Sequence, residues 1–207
     1  MNDDALARIA AALERIAPPP PAPVDWRAAP AYWWDGTGAR AVPVLDALPL
    51  ARLLGIEAQK VALRDLCLRL ATGAAAHDVL LWGARGMGKS ALVRACVADV
   101  QAAHPGKLAL VQLAPGALAS FPALIAELAA QPRAFLLFID DLGFGADARA
   151  EMLALRSLLE GGVMPRPAHV RVAVTANRRG IIAREDWSAA MHERDERDDA
   201  LALADRF

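Results

Sequence analysis

The stretch from Leu80 to Ser90 constrains the fold of this chain more than any other. It reads LLWGARGMGKS and fits the phosphate-loop pattern G-x-x-x-x-G-K-[ST], with Gly83, Gly88, Lys89 and Ser90 at the four fixed positions. A short apolar run precedes the glycines, and apolar residues continue at helical spacing after Lys89. The pattern therefore predicts a buried strand, a glycine loop and a helix that begins at Lys89.

The residue types in this loop match the chemistry of nucleotide binding. Glycines allow backbone N–H groups to turn inward around an anion, and the positive end of the following helix points at the same place. Lys89 is expected to supply charge to the β- and γ-phosphates, and the Ser90 hydroxyl to ligate Mg²⁺. The alternative is a glycine-rich turn with a solvated lysine. The predicted phosphate-binding residues are Gly83, Ala84, Arg85, Gly86, Met87, Gly88, Lys89, Ser90 and Ala91.

Two carboxylates follow a second apolar run, AFLLFI, at Asp140 and Asp141. The continuous apolar run is typical of a strand buried on both faces of a parallel sheet, and ligands of such sheets collect at the C-terminal ends of the strands. We therefore predict that Asp140 holds Mg²⁺ through water, the alternative being a paired-Asp turn without chemistry. A later strand, predicted from His169 to Thr175, places Asn177 beside Asp140, where it could orient a water.

The remaining elements predict one α/β unit from residue 53 to 207, preceded by two appendages. Residues 1–23 comprise an amphipathic helix over 2–17 and a proline-rich linker; the helix docks either on its own domain or on a neighbouring subunit. Residues 24–52 carry four of the six Trp and Tyr residues and are predicted to form an irregular arm anchored by these aromatics, or else a stacking surface for bases or partner chains. Further elements are predicted as helices over 57–71, 89–103, about 120–131 and from Asp147 to the glycines at 161–162, and strands over 77–82 and 108–113.

Composition excludes some classes of protein. A net charge of −1 gives no global electrostatic reason to expect nucleic acid. No apolar run reaches the ~18 residues of a spanning helix, and the N-terminus lacks the basic region of a signal peptide. Cys67 and Cys96 fall in helical apolar patterns and are expected to be reduced, packed thiols. A cytoplasmic protein fits these features best.

The ordered set of motifs resembles the AAA+ ATPases, and in particular a bacterial group of predicted AAA+ ATPases catalogued as a domain of unknown function. The matching segments span residues 53–207 and read LLGIEAQKVAL, LLWGARGMGKSALVRA, FLLFIDDL, LRSLLEGG, VAVTANRR and LADRF. The resemblance implies a three-layer α/β P-loop fold that uses ATP and Mg²⁺. It also implies a homo-oligomer that acts on a macromolecular client, which the sequence does not identify.

The same resemblance implies roles for single residues. Asp141 stands where most AAA+ proteins have the glutamate that polarises the attacking water, and it is one methylene shorter. Asn177 matches the sensor 1 asparagine, and Arg206 an arginine finger that reaches the γ-phosphate of the neighbouring subunit. A salt-bridging role is the alternative for Arg206. The residues implied to line the adenine are Leu54, Gly55 and Ile56.

The sequence departs from the AAA+ pattern at its end. The resemblance implies a last strand of the sheet and a helical lid after the arginine, and the sequence up to Phe207 leaves room for neither, so we expect either a piece of a longer protein or a strand that comes from elsewhere. The strand that leads into the glycine loop is therefore expected at a sheet edge. Two other functions stay open: a nucleotide-dependent switch with little hydrolysis, and a small-molecule kinase, for which no acceptor motif is present.

Overall fold

A six-stranded sheet organises the computed structural model, which describes residues 4–9, 12, 24–142, 155 and 166–177. The strands are β1 (Ala31–Trp34), β2 (Ala39–Val42), β3 (Val79–Trp82), β4 (Leu108–Leu113), β5 (Ala134–Ile139) and β6 (Val170–Ala176). In spatial order the strands run β2-β1-β4-β5-β6-β3, and every neighbouring pair is parallel except β1 and β2. The strand that leads into the glycine loop, β3, lies at the edge of the described sheet, as the sequence predicts.

Three α-helices and two short 3-10 helices connect these strands in the described residues. They are α1 (Glu57–Ala71), α2 (Lys89–Ala103) and α3 (Phe121–Ala129), with 3-10 helices at Leu50–Arg52 and Ala117–Ser120. The bounds predicted for α1, α2 and β4 are confirmed. The helix predicted from Asp147 lies outside the described residues except for Leu155, which is helical and fully buried.

The predicted strand over 77–82 begins later than expected, at Val79. Asp78 is buried beside the sheet instead of pairing within it. Its Oδ1 accepts the backbone N–H of Val172 at 2.8 Å, and its Oδ2 accepts an N–H of Arg166. A buried carboxylate needs such partners, and they hold this residue out of the strand ladder.

Alternating side chains of the central strands fill two cores, one on each face of the sheet. In β5, Phe135 and Leu137 face the core that contains α3, whereas Leu136 and Phe138 face the core that contains α1 and α2. All six residues of β5 are buried, as expected of a parallel strand covered on both faces. The predicted three-layer α/β fold is confirmed.

The aromatic segment 24–52 differs from the irregular arm that the sequence predicts. It contributes β1, which pairs in parallel with β4, and β2, which pairs antiparallel with β1. Tyr32 and Trp34 are each 1% exposed, and the Trp34 indole N–H donates to Ser120 Oγ at 2.8 Å. The aromatics therefore anchor the segment, as expected, but they do so as part of the sheet. The sequence did not reveal these short strands because β1 joins the sheet through β4, whose paired residues, such as Leu110 opposite Ala31, come much later in the chain.

Local hydrogen bonds at Asp35 close the turn between β1 and β2. Its Oδ1 accepts the N–H of Thr37 at 2.9 Å, the Thr37 hydroxyl at 2.8 Å and the N–H of Gly38 at 3.0 Å. These donors, Thr37 foremost, hold the pKa of the Asp35 carboxyl below its ordinary value. Gly36 has a φ of 105°, which favours glycine at this turn.

A buried guanidinium joins the aromatic segment to the core. Arg133, 7% exposed, donates to the carbonyls of Trp26 at 3.1 Å, Ala29 at 2.7 Å and Leu108 at 2.7 Å. Burial lowers the pKa of Arg133, and the nearby Tyr32 hydroxyl opposes that shift. Three carbonyl acceptors thus compensate the buried charge and fix residues 26–29 against the start of β4.

Little of the predicted N-terminal helix falls within the described residues. Residues 4–9 and 12 are helical, and Leu6 and Ile9 of the predicted apolar stripe are 60% and 56% exposed. None of the helices in the described part of the chain has both the length and the apolar character needed to cross a membrane.

Candidate functional site

The glycine loop connects the end of β3 to the first residue of α2. Its backbone stays tied to β6, because the Gly83 N–H donates to the carbonyl of Ala176 at 3.2 Å. Gly86 and Gly88 each have a φ of 81°, in the left-handed region that a side chain disfavours. Gly88 is the N-cap of α2, and its carbonyl accepts the first helical N–H, from Leu92, at 2.8 Å. The loop therefore places the positive, N-terminal end of α2 next to the C-terminal end of β3.

The Lys89 ammonium is held above the loop by three acceptors. It donates to the carbonyl of Gly83 at 2.8 Å, the carbonyl of Ala84 at 3.0 Å and Oδ1 of Asn177 at 3.1 Å. An ammonium has three N–H donors, so this arrangement uses all of them. The Lys89 charge therefore lies between the glycine loop and the tip of β6.

Ser90 and Asp140 come together although they are distant in sequence. The Ser90 hydroxyl donates to Oδ1 of Asp140 at 2.5 Å, and the two residues are 50 positions apart. Ser90 lies in the first turn of α2, and Asp140 directly follows β5. A hydroxyl and a carboxylate are hard oxygen donors of the kind that Mg²⁺ takes in phosphate sites, so this pair fits that ion. The described residues hold no cluster of three or more His, Cys, Asp or Glu side chains suited to a metal.

Asp141 is the second carboxylate, and it has unusual backbone geometry. Its φ of 56° is the one positive φ of a non-glycine residue in the described part of the chain. Such a conformation costs on the order of 1–3 kcal/mol and is often found at functional sites. The Asn177 amide N–H donates to Oδ1 of Asp141 at 2.5 Å. Asn177 therefore contacts both the lysine and the second carboxylate.

The sequence did not predict a role for Thr175, which contacts the Asp140 carboxylate and the Asp141 backbone. This residue of β6 is 1% exposed; its hydroxyl donates to Oδ1 of Asp140 at 2.7 Å and accepts the N–H of Asp141 at 2.8 Å. A polar residue within the apolar run VRVAVTA, two positions before Asn177, is the signal that could have identified it.

Strand order explains why these groups meet. β6 lies between β3 and β5, so the tip of β6 separates the strand before the glycine loop from the strand before the carboxylates. Asn177 follows β6 directly and can contact both sides. The structure thus brings together Lys89, Ser90, Asp140, Asp141 and Asn177.

The residues predicted to line the adenine are not part of this hydrogen-bonded group in the described residues. Leu54 is 80% exposed, Gly55 is exposed and Ile56 is the N-cap of α1, partly buried against the core on that face. The neighbouring 3-10 helix at 50–52 packs against α2, which puts this segment on the glycine-loop side of the sheet. Arg206 lies outside the described residues.

Three predicted loop residues differ in exposure. Arg85 and Met87 are exposed in the glycine loop, Met87 by 63%, and Ala91 is half-buried in the first turn of α2. The predicted contacts of these three residues with phosphate stay predictions.

The fold and the site define a P-loop domain of the AAA+ class. The defining features are a glycine loop between β3 and α2, carboxylates after β5, and an amide at the tip of the strand between them. The chain belongs to the family described as "Protein of unknown function (DUF815)", whose model matches residues 27–207. The expected resemblance to an AAA+ family of unknown function is thereby confirmed.

Solved structures with similar folds include RuvB and Trip13. Thermotoga maritima RuvB, titled a Holliday junction branch migration motor, is 22% identical over 68% of this chain and 44% of that chain, with a TM-score of 0.45. Rhizobiales Trip13 is 19% identical over 62% of this chain and 56% of that chain, with a TM-score of 0.41. The chain therefore spans less than half the length of RuvB. A search of curated proteins finds no match.

Proposed function

We propose that this protein binds ATP with Mg²⁺ in the glycine loop and hydrolyses it to drive remodelling of a macromolecular partner. The observation that carries the proposal is the 2.5 Å hydrogen bond between Ser90 and Asp140. It sets a hydroxyl and a carboxylate side by side at the positive end of a helix, next to a lysine. A solvated glycine turn or an inert paired-Asp turn gives no reason for that convergence.

Lys89 is proposed to neutralise charge on the phosphates. Its present acceptors are two loop carbonyls and the Asn177 amide oxygen, which are neutral. Phosphate oxygens carry full charge and form stronger hydrogen bonds with an ammonium. Nucleotide would therefore draw Lys89 away from the carbonyls of Gly83 and Ala84 and free the loop to turn its N–H groups toward the phosphates.

Ser90 and Asp140 are proposed to hold Mg²⁺, directly and through water respectively. When bound there, Mg²⁺ would supply positive charge that stabilises the negative charge developing during phosphoryl transfer. The chain's own contribution is to keep the hydroxyl and the carboxylate in place before nucleotide arrives. Such preorganisation avoids the cost of arranging the groups at the moment of reaction.

Asp141 and Asn177 are proposed to position the attacking water. The Asn177 amide holds the Asp141 carboxylate by a hydrogen bond, which fixes its direction although the side chain is one methylene shorter than glutamate. A carboxylate within hydrogen-bond reach of a water can accept its proton as the water attacks.

The remaining roles follow from the resemblance and rest on it. Leu54, Gly55 and Ile56 are proposed to line the adenine, and Arg206 to reach the γ-phosphate of a neighbouring copy in a homo-oligomer. An arginine supplied in this way raises the rate by roughly 10³–10⁵ in systems that use one. We also propose residues 53–207 as the ATPase unit, and a cytoplasmic location, in keeping with two free, buried cysteines.

The test is ATP hydrolysis as a function of protein concentration with Mg²⁺, for the wild-type chain and Arg206→Ala. A superlinear rise that Arg206→Ala abolishes supports an assembling ATPase. An exposed arginine at the opposite edge of the sheet from β3 provides the control: Arg40, in β2, and Arg40→Ala should leave the curve unchanged. Nucleotide that fails to bind the wild-type chain at any Mg²⁺ concentration overturns the proposal.

One observation favours a second candidate, a nucleotide-dependent switch with little hydrolysis. Lys89 and Asp141 both form hydrogen bonds with Asn177. One side chain therefore restrains both of the charged groups that hydrolysis would need. A switch should bind ATP tightly yet turn it over below about 0.01 per second at every protein concentration, the scale of slow nucleotide switches. The same titration therefore separates the two candidates.

A further inference from the structure

Thr175 makes three hydrogen bonds to three consecutive residues at the end of β5. Its hydroxyl donates to Oδ1 of Asp140 at 2.7 Å and accepts the N–H of Asp141 at 2.8 Å, and its carbonyl accepts the N–H of Leu142 at 2.8 Å. An N–H can only donate, so the hydroxyl must accept from Asp141 and direct its own proton at the carboxylate. The direction of each bond is therefore fixed.

These bonds begin where the β5–β6 ladder ends. The last paired residues of the two strands are Ile139 and Val174, and from Thr175 onward β6 pairs only with β3 among the described strands. The chain after β5 thus leaves the sheet at Asp140. Contacts with Thr175 replace the ladder for the next three residues, which include both carboxylates.

Two hydroxyls converge on one carboxylate oxygen. Oδ1 of Asp140 accepts from Thr175 on β6 and from Ser90 on α2. The rotation of the Asp140 carboxylate is therefore set from two elements at once. On the other side, the Thr175–Asp141 bond holds the backbone N–H of a residue with a φ of 56°, in the left-handed region, where Asp141 is the one non-glycine residue of the described part of the chain.

We propose that Thr175 is a positioning residue that orients both carboxylates, Asp140 for the metal and Asp141 for the water. The inference rests on the proposed function. Thr175 touches neither nucleotide nor metal in this scheme and acts only through the two aspartates. Loss of its hydroxyl should weaken the response to Mg²⁺ and slow turnover, while leaving metal-independent nucleotide binding by the glycine loop intact.

Three variants of the full chain test the proposal. Thr175→Val has the same shape without the hydroxyl, Thr175→Ser keeps the hydroxyl, and Val172→Ala disturbs the same strand, at a buried position away from the carboxylates. We expect Thr175→Val to raise the Mg²⁺ concentration for half-maximal turnover about 10-fold and to lower kcat about 10- to 100-fold, the scale of one lost orienting group. ATP affinity in EDTA should change less than about 2-fold. Thr175→Ser should restore both kinetic values to within about 3-fold.

A second readout needs no nucleotide. Hydrogen exchange at the Asp141 amide, followed by NMR, should accelerate at least about 10-fold in Thr175→Val and return in Thr175→Ser, because the hydroxyl is the acceptor that protects this N–H. Val172→Ala should not change that amide selectively. The inference is overturned if Thr175→Val matches Val172→Ala in Mg²⁺ response, or if the Asp141 amide exchanges as in wild type.

The two proposals fail in different ways. A wild-type chain that binds no nucleotide overturns the proposed function, and this inference with it. A wild-type chain that shows Mg²⁺-dependent turnover, together with a Thr175→Val variant of unchanged Mg²⁺ response, overturns the inference alone.

Discussion

The Lys89 ammonium donates a hydrogen bond to Oδ1 of Asn177 at 3.1 Å, across 88 positions of the chain. The same asparagine donates through its amide N–H to Asp141. Hydrogen bonds through Lys89 and Asn177 therefore connect the glycine loop, the tip of β6 and the second carboxylate. A ligand that draws Lys89 away from Asn177 also changes what holds Asp141, and this coupling underlies the first two predictions.

Replacing Lys89 with alanine should weaken ATP binding by about 10- to 100-fold, because hydrogen bonds to charged groups contribute roughly 1.5–3 kcal/mol. Isothermal titration calorimetry measures the effect. Lys107, exposed at the start of β4, supplies the matched control, and Lys107→Ala should bind as wild type does. Tight ATP binding by Lys89→Ala would remove the glycine loop from the proposed site.

Asp141→Asn should bind ATP within about 3-fold of wild type but lower kcat by roughly 10²- to 10⁴-fold, the usual contribution of a general base. The amide can still accept from Asn177 but can no longer take a proton from water. Steady-state turnover and binding of ATP are compared in the same preparation. Asp46→Asn, at an exposed loop position, is the control. If Asp141→Asn turns over as fast as wild type, another group activates the water.

Arg133→Met should lower the free energy of unfolding by about 2–4 kcal/mol, because the carbonyls of Trp26, Ala29 and Leu108 each lose a hydrogen bond from a charged donor. Urea denaturation gives the value. Arg64→Met is the matched control: its guanidinium pairs with Asp99 at the surface, where loss costs less than about 1 kcal/mol. Equal losses in the two variants would show that Arg133 does not anchor the aromatic segment.

The buried thiols should make stability fall at high pH. Burial raises the pKa of Cys96 to about 12 and also raises that of Cys67. Both thiols have ordinary pKa values in the unfolded chain, so the unfolded state loses these protons first as the pH rises above about 8.5. Stability is therefore fully present below that pH, and each thiol should cost about 1.4 kcal/mol per pH unit between about 9 and 11.

Urea denaturation at pH 8, 9.5 and 10.5 checks this pH dependence. The control is the double variant Cys67→Ala and Cys96→Ala, which removes the thiols and keeps the other titrating groups. Its unfolding free energy should fall less steeply than that of wild type. Parallel curves for the two proteins would contradict the assignment.

The sequence predicted those site residues that belong to a short local pattern. Gly83, Gly88, Lys89 and Ser90 stand at fixed spacing, and Asp140 directly follows a continuous apolar strand. These patterns depend on a few neighbouring residues, because a glycine loop, a helix start and a buried strand are each specified over short distances. Thr175 could not be assigned in this way, since a threonine in a strand is ordinary until its partners are known.

The sequence by itself determined the class of fold, the helices α1 and α2, and the residues that meet at the end of the sheet. Tertiary structure alone decided that residues 31–42 join the sheet, that Arg133 holds residues 26–29 beside β4, and that Thr175 contacts the Asp140 carboxylate and the Asp141 backbone N–H. Each of these features depends on contacts between positions 34 to 107 apart. Helix periodicity and loop motifs depend on residues that are close together in the sequence. Strand pairing and buried hydrogen bonds depend on segments that are far apart in the sequence and meet only when the chain packs.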